Sequence, residues 1–208
     1  MVVTNHEYLA NRLRLIRNHA EACVGDMGHP VDDLTNMVGF NFRMGEMEAA
    51  LALEQIKLLP NIGHSRRMNA AYLTEHLGIP GITPPYVEPG VEHGYYLYAM
   101  KYDAAQFKGL HRNEFVKAVQ AEGVPLVAGY VKPIYLEPLF QNRIAFGSYP
   151  FDLRPDITYE PGLCPVAERM YYTELMYSDI VHDRYEPDAL QDFIRAMHKV
   201  ADNLDELL

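Results

Sequence analysis

A long amphipathic helix is the feature that most constrains what this chain can fold into. It is headed by the run Gly-Phe-Asn-Phe-Arg-Met-Gly-Glu at residues 39–46. Small and aliphatic residues then fall on one side of a helix: Met47, Ala50, Leu51, Ile56 and Leu59. Pro60 and Gly63 predict an interruption, because proline lacks the backbone N–H that an internal helical turn needs. A second helix is predicted over Ser65–Leu77, and Gly78 suits the left-handed position after its end.

The residues before this helix predict a strand, a helix and a loop. The β-branched run Met1–Thr4 favours a strand, and Asn5 can cap the following helix because its side-chain oxygen accepts an orphan backbone N–H. That helix carries one apolar stripe: Leu9, Leu13 and Ile16. We expect the stripe to cover a sheet. The segment Ala22–Asn36 is rich in Gly, Asp and Pro and predicts a surface loop.

The second half of the chain mixes helix and strand patterns. An extended connection is predicted over Ile79–Glu92, which is rich in proline and glycine. The predicted strands are Tyr95–Tyr102 and Val124–Gly129, and the predicted amphipathic helices are His111–Glu122 and Glu186–Leu207. The sequence therefore predicts an α+β chain of long helices with a small, largely antiparallel sheet.

Charge and composition exclude several classes of function. The formal net charge is -10 with 18 Lys plus Arg, and a nucleic-acid surface needs clustered cations, so we expect no nucleic-acid partner. No apolar run approaches the roughly 18 residues of a spanning helix, so we expect no membrane partner. Cys23 and Cys164 are too far apart for a CxxC motif, and the histidines lack metal-ligand spacing. We expect no metal and a reduced, cytoplasmic protein.

Asn41 and Arg43 are the best candidates for binding an anion. A carboxamide just before a helix can present its N–H donors to a phosphate, and helix N-termini favour negative charge. The alternative for Asn41 is that it only caps the helix. The Arg43 guanidinium can bind phosphate or carboxylate in bidentate fashion, and its alternative is an ion pair with Glu46 or Glu48.

Five ordered blocks resemble the DegT/DnrJ/StrS family of sugar and cyclitol aminotransferases. They are Met-Val-Val-Thr-Asn at 1–5, Arg-Leu-Arg-Leu-Ile-Arg-Asn-His at 12–19, Gly-Phe-Asn-Phe-Arg-Met at 39–44, Gly-Val-Pro-Leu-Val-Ala-Gly-Tyr at 123–130 and Cys-Pro-Val-Ala-Glu-Arg at 164–169. The resemblance implies a fold-type I transferase that works as a homodimer with pyridoxal phosphate. It implies transfer of an amino group from glutamate or glutamine to a keto sugar or keto cyclitol.

The resemblance also implies roles for particular residues. The asparagine of the matching block reaches the cofactor phosphate of the neighbouring subunit, which makes Asn41 an expected cofactor-binding residue. Arg43 is the second expected cofactor-binding residue, because its guanidinium can bind phosphate. Tyr130, Lys132 and Tyr135 lie where many members carry a histidine that lines the substrate pocket, so they are the expected substrate-binding residues. A tyrosine hydroxyl can bond a sugar or cyclitol hydroxyl. The sequence of this segment is more similar to the cyclitol branch of the family than to the nucleotide-sugar branch. The alternative is that these tyrosines only pack.

The Schiff-base lysine of this family lies upstream of the Val-Val-Thr strand, and the first lysine here is Lys57. We therefore expect the C-terminal portion of a transferase, with residues 1–60 as the remnant of a large cofactor domain and residues 61–208 as a small C-terminal domain. The expected partner is a second copy or an N-terminal half, and the chain alone is expected to be inactive. Two alternatives are a sugar dehydratase of the same family, in which histidine replaces the lysine, and a non-catalytic dimerisation or regulatory module.

Overall fold

The computed structural model describes residues 2–20, 38–186 and 188–208, so the predicted loop Ala22–Asn36 lies outside the described residues. The first helix, α1, is Glu7–Arg17. The strand predicted before it is wrong: Val2 and Val3 are exposed and outside any strand. A β-strand needs a neighbour to satisfy its backbone hydrogen bonds, and the described residues offer none there.

Two details of α1 also differ from the sequence prediction. Its N-cap residue is His6 rather than Asn5, and no side chain caps it. Leu15 is the fully buried leucine of α1, whereas Leu9 of the predicted stripe is exposed. The periodicity identified an amphipathic helix correctly, but it did not identify the side chain that the helix buries most deeply.

The second helix, α2, runs without a break over Glu46–His76. The interruption predicted at Pro60 and Gly63 is therefore wrong. Both residues lie inside the helix, and Pro60 is exposed there. Gly78 does adopt a left-handed φ of 43° just beyond the helix, as predicted.

A four-stranded sheet forms the centre of the second half of the chain, in the spatial order β1-β2-β4-β3. Its strands are β1 (Ile82–Thr83), β2 (Tyr98–Tyr102), β3 (Val127–Ala128) and β4 (Leu175–Ser178). All three pairings are antiparallel, which confirms the predicted type of sheet. The register places Met100 opposite Met176. Strand β4, which was not predicted from sequence, joins the two strands that were.

The longer helices complete the core around this sheet, whereas the two shortest, Pro138–Gln141 and Pro165–Arg169, bury no residue. The shorter helices are α3 (Arg112–Ala121), α4 (Pro138–Gln141) and α5 (Pro165–Arg169), and the last is α6 (Ala189–Asp202). The amphipathic helices predicted at 111–122 and 186–207 are confirmed, and both are shorter than predicted. Large side chains of this core include Leu73, Tyr98, Tyr102, Phe115, Met176, Phe193 and Met197.

A buried arginine ties α3 to the centre of the sheet. Arg112 is only 3% exposed. Its guanidinium donates to the carbonyl oxygens of Tyr172 at 3.0 Å and Leu175 at 2.6 Å, where a π-helical turn leads into β4. An arginine keeps its proton even when buried, so these carbonyls supply the polar contacts that the charge requires.

The chain divides into two compact units, Met1–Leu58 and Leu59–Leu208. The first unit contains α1 and the N-terminal part of α2. The second unit contains the rest of α2, the sheet and the remaining helices. Asn41 and Arg43 therefore belong to the first unit, and the residues from Tyr130 to Tyr135 belong to the second.

Candidate functional site

The segment at residues 39–43 is held in an extended form against the end of α1. Backbone bonds join the Phe40 N–H to the Ile16 oxygen at 2.8 Å and the Phe42 N–H to the Arg17 oxygen at 3.0 Å. Gly39 makes this approach possible, because a Cβ built there would lie 2.2 Å from the Ala20 nitrogen. Any other residue at position 39 would push the segment away from α1.

Asn41 presents its carboxamide to solvent from this segment. Its Oδ1 accepts a 3.4 Å contact from the Arg43 backbone N–H, and within the described residues its Nδ2 has no partner. The capping alternative is not supported, because α2 begins only at Glu46, too far along the chain for Asn41 to be its N-cap. Gly45 directly precedes the helix, and its N–H donates to Glu48 Oε2 at 2.9 Å. The donors of Asn41 are therefore available to a ligand.

Arg43 is oriented by a residue that no sequence pattern indicated. One guanidinium nitrogen, Nη1, donates to Asn18 Oδ1 just after the end of α1. Among the described residues Arg43 makes no ion pair with Glu46 or Glu48, so its expected alternative role is not observed. Asn18 is 25 residues away in sequence, and no local pattern could have paired the two. The first unit thus places one exposed amide and one exposed guanidinium two residues apart.

The predicted substrate-binding segment begins directly after β3. Gly129 donates its N–H to the Leu175 oxygen at 2.7 Å and has a left-handed φ of 68°. The exposed ring of Tyr130 packs edge-on against Tyr177, with ring centroids 5.4 Å apart. Lys132 Nζ lies 3.6 Å from Glu137 Oε1. The Tyr130 hydroxyl has no hydrogen bond within the described residues, so it is free to bind a ligand.

Tyr135 is placed differently, because its side chain is buried and its hydroxyl is already bonded. The hydroxyl donates to Glu168 Oε1 and accepts the Cys164 N–H at 3.2 Å. Burial, followed by the bond to Glu168, raises the pKa of Tyr135. The same bond, with a further one from the Gly162 N–H, lowers the pKa of Glu168. Tyr135 therefore links the segment after β3 to the start of α5.

None of the six lysines of the chain has the surroundings of a cofactor-bonding amine. All six lie in the described residues, and each has a carboxylate oxygen within 4.0 Å. The pairs are Lys57–Glu54, Lys101–Glu174, Lys108–Asp205, Lys117–Glu114, Lys132–Glu137 and Lys199–Glu122. A carboxylate that pairs with a lysine nitrogen competes with a cofactor aldehyde for that nitrogen. The residues present fit the phosphate end of pyridoxal phosphate and not its aldehyde end.

Metal-binding and membrane-spanning features are both missing from the part of the chain that the structure describes. No group of three or more His, Cys, Asp or Glu side chains there is placed to hold a metal ion. No helix among the same residues is both long enough and apolar enough to cross a bilayer.

The fold is that of part of a fold-type I transferase. The chain belongs to the DegT/DnrJ/EryC1/StrS aminotransferase family, whose model matches residues 1–175. Members of this family depend on pyridoxal phosphate. The predicted family, fold class and cofactor are thereby confirmed.

Known relatives and solved structures agree with this assignment. The chain is 29% identical over 223 aligned positions to L-glutamine:2-deoxy-scyllo-inosose aminotransferase of Micromonospora echinospora, covering 99% of this chain and 50% of the relative. It is 27% identical over 143 positions to dTDP-3-amino-3,4,6-trideoxy-alpha-D-glucose transaminase of Streptomyces venezuelae, covering 68% of this chain and 34% of the relative. The chain spans about half the length of the curated relatives that match it over most of its residues.

A solved structure shows the same fold. DesV of S. venezuelae, in complex with a ketimine intermediate, superimposes with a TM-score of 0.70 at 23% identity. The match covers 97% of this chain and 46% of DesV. At this level of identity the likeness establishes the fold alone.

Proposed function

We propose that this chain is part of a pyridoxal-phosphate-dependent aminotransferase that moves an amino group from glutamine or glutamate to a keto cyclitol or keto sugar. The observation that carries the proposal is the exposed Asn41 carboxamide, held by an ordered segment in a chain of this family. The name of the M. echinospora relative, an L-glutamine:2-deoxy-scyllo-inosose aminotransferase, supports a cyclitol as the acceptor.

The chain's own residues would bind and orient. Asn41 would donate its free Nδ2 hydrogens to the cofactor phosphate, and the Arg43 guanidinium, oriented by Asn18, would add positive charge beside it. Tyr130 would bond a hydroxyl of the acceptor. Pyridoxal phosphate, when bound, supplies the electron sink that the transfer requires.

We further propose that residues 1–60 belong to the large cofactor domain and residues 61–208 to the small domain. Because all six lysines are ion-paired, the amine that bonds the cofactor would come from polypeptide outside these 208 residues. The working unit would contain two copies, with each Asn41 serving the phosphate of its neighbour. The exposed, unpaired thiol of Cys164 supports a reducing compartment such as the cytoplasm.

The function is tested on the assembly that is recovered from the native host through a tag on this chain. With glutamine as donor, we expect it to aminate 2-deoxy-scyllo-inosose or a nucleotide-linked keto sugar, and the preferred acceptor identifies the substrate class. An assembly that contains pyridoxal phosphate but aminates neither acceptor contradicts the proposal.

The source of the amine is tested on the chain alone. Pyridoxal phosphate and borohydride are added, and the modified lysines are mapped by mass spectrometry. We expect scattered, substoichiometric labelling, because every lysine nitrogen has a carboxylate oxygen within 4.0 Å. Stoichiometric labelling of one lysine, with amino transfer by the isolated chain, would show that the amine lies within it.

A further inference from the structure

A cleft of about 400 Å³ lies in the second unit, and none of the residues assigned to cofactor or acceptor lines it. This volume falls within the roughly 300–1,000 Å³ of small-molecule sites. Successive turns of α2 form one wall, and the chain before β2 forms the other. The side chains that line it include Leu59, Pro60, Ile62, Arg66, Arg67 and Glu92.

Arg66 brings an uncompensated charge to this cleft. Its Nε is buried and has no hydrogen-bond partner, and no ion pair to its guanidinium exists within the described residues. An arginine cannot shed its proton to relieve such burial. In a chain with a formal net charge of -10, a half-buried guanidinium without a carboxylate partner is unexpected. An anion in the cleft would compensate the charge of this guanidinium.

Arg67 supplies a second guanidinium that is only weakly engaged. Its Nη1 lies 3.5 Å from Glu92 Oε2, and the Glu92 side chain is 81% exposed, so the pair is loose and solvent-screened. Gly63 lets this guanidinium lie close against the helix, because a Cβ at that position would come within 3.2 Å of the same Nη1. Two guanidinium groups that line one cleft can together bind an oxyanion.

We propose that this cleft binds an oxyanion, a phosphate ester or a carboxylate, carried on an apolar body. The guanidinium groups of Arg66 and Arg67 would hold the anion, and Leu59, Pro60 and Ile62 would contact the body. Glu92 competes for Arg67 when the cleft is empty. The proposal is independent of the aminotransferase function, because none of its residues is assigned a part in amino transfer.

The test is a calorimetric titration of the whole 208-residue chain with phenyl phosphate, benzoate and, as a neutral comparison, benzyl alcohol. We expect saturable binding of an anion and none of the alcohol; the tighter anion identifies the source as a phosphate ester or a carboxylate. Arg66→Gln should weaken the binding at least about tenfold, since a bond to a charged group is lost. Arg195→Gln is the matched control, because the Arg195 side chain is 71% exposed and paired with Asp192 outside the cleft.

Glu92→Gln is a second test, because it should strengthen anion binding, and misfolding of the variant would not do so. Removing the competing carboxylate should tighten anion binding about threefold, while circular dichroism stays unchanged. Absence of saturable binding up to about 10 mM, a millimolar limit that marks negligible affinity, overturns the proposal. Equal affinity in Arg66→Gln and the unaltered chain, or unchanged or weaker binding in Glu92→Gln, overturns it as well.

Discussion

At the scale of single residues, Asn41 shows how a short motif acquires a definite geometry. Gly39 permits the close approach to α1, backbone bonds fix residues 40 and 42, and the carboxamide between them is left free. The backbone that carries this carboxamide is therefore held in place before any ligand arrives. Such preorganisation reduces the entropy that binding must overcome.

Asn41→Ala should weaken cofactor retention in the assembled enzyme. Loss of a hydrogen bond to a charged phosphate costs roughly 1.5–3 kcal/mol, or about ten- to a hundredfold in affinity. The measurement is the rate of pyridoxal phosphate release after dilution. Asn142→Ala, at an exposed asparagine in the second unit, is the control. Unchanged release from the Asn41 variant would remove this residue from the cofactor site.

Loss of the tyrosine hydroxyl should destabilise the fold at Tyr135 and leave its stability unchanged at Tyr130. Tyr135→Phe leaves the Cys164 N–H without its acceptor and removes a bond to Glu168. We therefore expect the midpoint of urea unfolding to fall by roughly half a molar or more. Tyr130→Phe should leave the midpoint unchanged and raise KM for the acceptor. Equal effects on stability would show that the hydroxyl of Tyr130 has a structural partner.

At the scale of elements, the sequence predicted best those helices and strands whose own residues determine their structure. The strand β2 and the helices α3 and α6 were found because their periodicity and end signals lie within each segment. Strand β4 was missed because it is four residues long and owes its place to partners distant in sequence, as in the pair Met100 and Met176. The bonds of Arg43 to Asn18 and of Tyr135 to Glu168 were missed for the same reason.

Strand β2 makes the stability of the fold sensitive to alkali. Burial raises the pKa of Tyr98 to about 12, and it also raises the pKa of Tyr102. In the unfolded chain these hydroxyls ionise near pH ~10. The folded state holds their protons more tightly, so their contribution to stability is complete below pH ~10 and is lost as the pH rises through the raised pKa of Tyr98, about 12.

An absorbance titration of the phenolate groups tests this behaviour. We expect a late group of tyrosines, which includes Tyr98, to ionise only with the loss of far-ultraviolet circular dichroism. Tyr98→Phe should remove one tyrosine from the late group. Ionisation of every tyrosine near pH ~10 with the fold intact would contradict the assigned burial.

At the scale of the whole molecule, the first unit exposes a large amount of apolar surface. The exposed side chains include Phe40, Phe42, Met47, Leu51, Leu53 and Ile56. Contiguous apolar patches of more than a few hundred Å² usually mark a surface that binds a partner. A second copy of the chain, or another part of a longer aminotransferase, would be a suitable partner.

We expect the isolated chain to self-associate reversibly at tens of micromolar, which corresponds to an interaction of roughly 6 kcal/mol. Sedimentation velocity over a concentration series measures it. Replacing Leu51 and Ile56 with Gln should shift the chain towards monomer, whereas Leu153→Gln, at an exposed leucine of the second unit, should not. A stable monomer across the series would show that this surface does not drive association.

The two outer strands of the sheet limit the form that such association takes. Strands β1 and β3 lie at its edges and contain only two residues each. A long, flat edge can recruit further strands from other molecules and grow without limit, as in amyloid. These short edges offer too few backbone groups for that growth, so association of this chain favours closed assemblies of finite size over fibrils.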